Sequence, residues 1–338
     1  MRRLPLVLVV ALGIAAGCEP ADRRDAGAPA GAQGDPYAVL VEGLRSGQPP
    51  LEALAAETFV DADRQPPRAD LVRLVQARDP RVRTVGLALV GTTRRRDLLP
   101  VIRQQRVGPA GVVPVARAFA LAMLGDPSEV TALRDALASP DVTVRRTAVW
   151  LFGLMGNPSA VGMLKVKLDD LDAVVVLRAA EALHRLGSTA GLQRVRRLTE
   201  HNRHQIRAYA VRLLGRMGET ADIPRLERLC LSRFLDVKFA AIGALAQQGD
   251  FKRIEMLTEF LEAEDQQARL LAARELGETA YKPALKPLER LLAARDLWER
   301  TTAAAAMVHI LSVEDSWRSR ILAEEKPPAL DDAITPRP

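Results

Sequence analysis

Gln205-Ile206-Arg207-Ala208-Tyr209-Ala210-Val211-Arg212-Leu213-Leu214-Gly215-Arg216-Met217-Gly218 reads as one complete helix. Ile206, Ala210, Leu214 and Met217 recur at helical spacing and line one face. Gly215 permits a neighbouring helix to approach closely, and Gly218 suits a left-handed C-terminal cap. The stretch is one copy of many. Stepping from Arg207 in units of 31 residues reaches Arg83, Arg145, Lys238, Arg269 and Arg300, with Pro114 and Val176 interrupting the series. Three residues after these sites stand Gly86, Ala148, Ala179, Ala210, Ala241, Ala272 and Ala303, with Arg117 the exception. Seven after them comes a bulky apolar residue, from Val90 to Met307. Eleven after them fall Gly125, Gly156, Gly187, Gly218 and Gly249.

A period held without slippage predicts a stack of like units. Asp79, Asp141, Asp172, Asp265 and Asp296 precede the basic sites by four residues, where an Asp caps a helix and faces its positive end. A second helix, B, follows each turn, with stripes such as Val130/Leu133/Leu137, Ile223/Leu226/Cys230 and Leu285/Leu288/Leu292. Neither helix buries its stripe alone, so stacked copies must share one core. The expected fold is an all-α, right-handed α-solenoid of about eight 31-residue helical hairpins over residues 79–325. Residues 37–78 fit the period poorly and read as an N-terminal helical cap. Interruptions at Pro114, Val176 and His184 predict local distortion.

The pattern of Asp, Val-Arg, Ala, Leu-Gly and Gly-Asp/Asn-Pro, clearest at Asp126-Pro127 and Asn157-Pro158, resembles the short HEAT-like repeat also found in phycobilin lyases. The resemblance implies the fold and says little of function, because the matched residues are those that pack the repeat.

The chain opens differently. Arg2 and Arg3 precede an apolar run from Leu4 to Ala16, too short to span a bilayer, and Ala15-Ala16-Gly17-Cys18 resembles a bacterial lipobox. The expectation is a signal peptide at 1–17, lipidation of Cys18, a flexible tether at 18–36 and a Pro-rich disordered tail at 326–338. The protein is then an exported lipoprotein of the bacterial envelope, membrane-held through its lipid. Two acyl signals suffice for stable anchoring.

Catalytic chemistry is hard to find. No nucleophile elbow, phosphate-cradling loop or His-Glu pair occurs, and His201 and His204 lack further ligands at a supporting spacing. Cys230 occupies a Leu-rich slot and reads as a buried thiol. The reading is therefore a scaffold, not an enzyme, with no catalytic residue, cofactor or metal. The alternatives are a lyase-type enzyme or enzyme subunit, and a nucleic-acid binder. Without residues 1–17 the balance is 46 basic (48 − 2) against 42 acidic side chains, a net of +4, too mild to imply nucleic acid.

Two candidate binding features remain. Phe119 and Trp150 share the slot five residues after the basic site, opposite the apolar stripe, and should form a convex aromatic patch. Arg103, Arg134, Lys165 and Arg196 share one slot on helix B, taken to line the concave side, and would guide an acidic protein segment or an anionic envelope polymer. Charge is uneven in the same sense. Residues 79–218 hold 22 basic and 11 acidic side chains, and residues 219–325 hold 15 and 19.

Overall fold

The computed structural model describes residues 34–324 apart from residues 63, 109, 127, 128 and 280. The leader, Cys18, nearly all of the tether and the tail lie outside the described residues. In chain order the helices are α1 (Pro36–Leu44), α2 (Pro49–Asp61), α3 (Arg68–Val75), α4 (Pro80–Thr92), α5 (Leu99–Arg103) and α6 (Val112–Met123). There follow α7 (Val130–Ala136), α8 (Val142–Met155), α9 (Val161–Val166), α10 (Ala173–Arg185), α11 (Leu192–Leu198) and α12 (His204–Met217). The last six are α13 (Ile223–Leu229), α14 (Leu235–Gln247), α15 (Ile254–Glu259), α16 (Gln266–Gly277), α17 (Leu285–Leu292) and α18 (Leu297–Glu324). The fold is an α-solenoid. No described helix is both long and apolar enough to cross a membrane.

Local chemistry sets the helix ends. The side chains of Asp79, Asp141, Asp172 and Asp265 each accept backbone N–H groups in the first turn of the following helix. Gly156 and Gly218 close α8 and α12 in the left-handed region, with φ of 64° and 70°. Gly215 stands against α14, where an added Cβ would lie 2.6 Å from the Ala244 backbone. Pro114 and Val176 do not break their helices: α6 and α10 run through them. Pro114 sits in the first turn, where its missing N–H breaks no intrahelical bond.

The basic column ties each hairpin to the loop before it. Arg145 donates to the carbonyls of Ser139 and Pro140, Arg207 to those of His201 and Asn202, and Arg269 to those of Ala263 and Glu264. The guanidinium fork thus satisfies carbonyls left over at the end of helix B. Arg145 also reaches Asp170 in the next repeat at 2.9 Å.

The even-numbered helices pack in sequence, α2 on α4 and so on to α16 on α18, while odd-numbered helices pack along their outer side. At the end the chain meets its beginning. The helix α18 packs on both α1 and α2, and α1 occupies the outer position beside α18 that a further odd helix would take. Arg300, the last of the basic column, pairs with Glu42 of α1, and Trp298 Nε1 donates to Gln48 Oε1 at 3.1 Å. Where a cap over an open end was expected, residues 36–75 instead face the last repeat, and the solenoid is a closed ring with even helices as its inner wall.

Candidate functional site in the ring centre

Closure changes what the inner wall means. Its helices are buried towards the outer layer and also towards the ring axis. The slot five residues after the basic column supplies Phe119, Trp150, Glu181, Arg212 and Arg274, and the slot nine after supplies Arg185, Arg216, Gln247, Glu278 and His309. Trp150, Glu181, Arg185, Arg216, Glu278 and His309 form one connected group around the axis with Glu57 and Asp61 of α2.

Phe119 is fully buried at 0 % exposure, so the expected convex aromatic patch is corrected. The physical reason is that the face opposite the apolar stripe points into a closed ring. Trp150 is half-buried on the same inner side, where it lines a pocket with Gly153, Arg178, Glu181, Ala182 and Arg185.

Two carboxylates there accept hydrogen bonds, Glu181 on both oxygens and Glu275 on Oε1 alone. Glu181 accepts from Tyr209 Oη at 2.6 Å, Arg216 at 2.7 Å and Arg185 at 3.0 Å. Burial works to raise its pKa, but Arg185, Arg216 and the Tyr209 hydroxyl outweigh it and hold it at about 2. Glu275 accepts through Oε1 from Arg212 at 2.7 Å and Arg274 at 2.8 Å, the first of these reaching past α14.

Three other carboxyl groups accept none. Both oxygens of Asp61, both of Glu278 and Oε2 of Glu57 are buried without a hydrogen-bond partner. His309 Nε2 is also unpartnered and lies 3.5 Å from Asp61 Oδ2. Burial pushes Glu57 and Asp61 well above the usual carboxylate range, against the opposing pull of Arg178 and Arg185 respectively. Burial likewise raises Glu278 and lowers His309. The sequence reading did not assemble this cluster. Its signal was present as charged residues recurring in two slots, of which the first was expected to face solvent and the second was not read.

The remaining candidates scatter. The odd helices lie outside, so helix B does not line a concave groove, which corrects the placement of the cationic series. Arg103, Arg134 and Lys165 stand exposed on α5, α7 and α9, with Arg103 3.6 Å from Asp126. Arg196 is half-buried and bound to Asp222 and Glu219. Burial pushes the Cys230 thiol up to about 11, far from a reactive thiolate. His201 Nδ1 accepts from the Arg203 N–H, whereas His204 pairs with Asp236 at 2.7 Å and stacks on Phe234. Among the described residues no three His, Cys, Asp or Glu are placed to hold a metal ion.

Residues 162–246 match the family model for HEAT repeats. That stretch, part of the described α-solenoid, carries HEAT repeats. No curated protein matches the chain. Its structure is similar to a chain in the complex of CpcE and CpcF of phycocyanin lyase from Nostoc sp. PCC7120, at 20% identity and TM-score 0.39, covering 73% of this chain and 96% of that one. It is also similar to an engineered protein at 18% identity and TM-score 0.32, covering 81% of this chain and 88% of that one. These likenesses concern fold alone. The reading of the chain as not an enzyme is corrected by the first of these findings, a likeness to a chain of a phycocyanin lyase complex.

Proposed function

We propose that this HEAT-like protein is an envelope scaffold, held at a membrane by a lipid on Cys18, that binds an acidic partner on its outer helical layer. One observation carries the reading. Closure buries the inner wall, which leaves the odd helices as the broad exposed surface, and Arg103, Arg134 and Lys165 stand exposed there at one slot of consecutive repeats. Cations so spaced attract a polyanion without strong mutual repulsion at physiological salt. The partner class is an acidic protein segment or an anionic envelope polymer.

Two measurements test it. Labelling with radioactive palmitate should mark the wild-type chain and not Cys18→Ala; equal labelling of both removes the anchor. Polyglutamate should bind the full chain with an affinity that falls steeply with salt. Reversal of Arg103, Arg134 and Lys165 to Glu together should abolish that binding while the helical signal stays unchanged. Undiminished binding by the folded triple variant makes the series ordinary surface. An enzyme subunit is the second reading. It is favoured by the unpartnered buried carboxyls of Glu57, Asp61 and Glu278, since shifted carboxyls are the means by which proteins move protons.

A further inference from the structure

We propose that Glu57, Asp61 and Glu278 form a buried proton-binding centre whose neutral form latches the ring shut, and that losing its protons releases α18 from α1 and α2.

The argument starts from unmatched atoms. Around the ring axis the unpartnered acceptors include Glu57 Oε2, both oxygens of Asp61, both of Glu278, Glu275 Oε2 and Gln247 Oε1. The unpartnered guanidinium donors beside them are Arg178 Nε and Arg216 Nε. Even with His309 Nε2 counted as a third donor, acceptors outnumber donors, so the centre calls for added hydrogens. The oxygens of Asp61 and Glu278 are enclosed, with side-chain exposure of 1% each. A proton needs no cavity. It converts one carboxyl oxygen from acceptor to donor, which corrects the imbalance directly.

The charged surroundings decide the direction. On α10, Arg178 faces Glu57, while Arg185 and Glu181 face Asp61. On α12, Arg216 reaches Glu278 at 3.6 Å but is already bound to Glu181, and the Tyr209 hydroxyl is also spent on Glu181. On α16, Glu275 adds a like charge beside Glu278, while Arg212 and Arg274 are committed to Glu275. On α18, His309 faces both Asp61 and Glu278, and burial keeps it from charging. Four of the five guanidiniums are thus committed to Glu181 and Glu275, and Glu57, Asp61 and Glu278 have no hydrogen-bonded cation. Ionising Glu57, Asp61 and Glu278 would set buried anions against one another and against Glu181, at a cost that rises steeply in a low-dielectric interior.

The cost falls at the seam. Asp61 ends α2 and His309 lies on α18, elements from opposite ends of the described chain that meet only because the ring closes. Stacked repeats hold to their sequence neighbours, so this junction can part while the others persist. Arg300 with Glu42 and Trp298 with Gln48 remain as the outer clasp.

The experiment is hydrogen exchange on the full chain from pH 6 to 9, corrected for the intrinsic pH dependence of exchange. Protection in α1, α2 and residues 297–312 should fall about tenfold per pH unit for each proton released. Protection in α8, α10 and α12 should hold. Asp61→Asn and Glu278→Gln mimic the protonated forms and should keep the seam protected at pH 9; Glu57→Gln serves if either fails to fold. Constant seam protection in the wild type overturns the proposal. So does a loss spread evenly over all helices, or an undiminished pH response in the folded variants.

Discussion

Ala210 lies at 0 % exposure in the small-residue slot of α12. An Asp there would bury a charge with no partner, so Ala210→Asp should lose about 3 kcal/mol or more, read from its denaturant midpoint. An unchanged midpoint would show that the register is wrong. Asp141 caps α8 through the Thr143 N–H at 2.7 Å, and Asp141→Ala should cost about 1 kcal/mol. Both sites were legible in the sequence, because a cap and a small-residue contact are local requirements repeated in every copy. Tyr209 was legible only in part. Its ring follows from an apolar position, but the Glu181 it binds sits in the preceding repeat, 28 residues away. Tyr209→Phe should cost about 1–2 kcal/mol by removing one donor from a buried carboxylate.

At the scale of elements, α1 does the work of a missing outer helix. Gly43 of α1 lies so close to α18 that an added Cβ would stand 2.9 Å from Thr301. Deleting residues 36–44 should therefore uncover the outer face of α18 and the carboxyl cluster behind it. Limited proteolysis should then cut within residues 297–312, while fragments containing α8 to α12 survive. Equal resistance with and without α1 would mean that the ring closes through α2 alone. The sequence offered no route to this pairing. Glu42 and Arg300 are 258 residues apart and belong to no shared period.

The molecule as a whole carries two opposed titrations. Glu181 has a folded pKa of about 2, below its unfolded value, so its contribution is present above about 4.5 and is lost as pH falls towards 2. Glu57, Asp61 and Glu278 are raised, so their neutral forms contribute fully below the ordinary carboxylate range. That contribution is lost as pH climbs through their elevated values. Stability should therefore peak between these windows and decline on both sides, as measured by thermal midpoints across pH. Asp61→Asn should flatten the alkaline side and leave the acid side in place. A wild-type profile that keeps rising to pH 9 would contradict the assignment of these three groups.

The sequence by itself determined the hairpin, its period of 31 residues, its Asp caps, its glycine turns and the basic column. Each depends on contacts within one copy or between adjacent copies, and these recur often enough to stand out. Tertiary structure alone decided the closure and the character of the axis. Ring curvature accumulates from small differences in spacing between inner and outer helices, and no single repeat encodes their sum. Helical periodicity reports which side of a helix meets its hairpin partner. It does not report whether the opposite side meets water or the far wall of a ring. Phe119 was expected on the convex side for that reason, whereas it lies buried, as do Glu181 and Arg212 of the same slot.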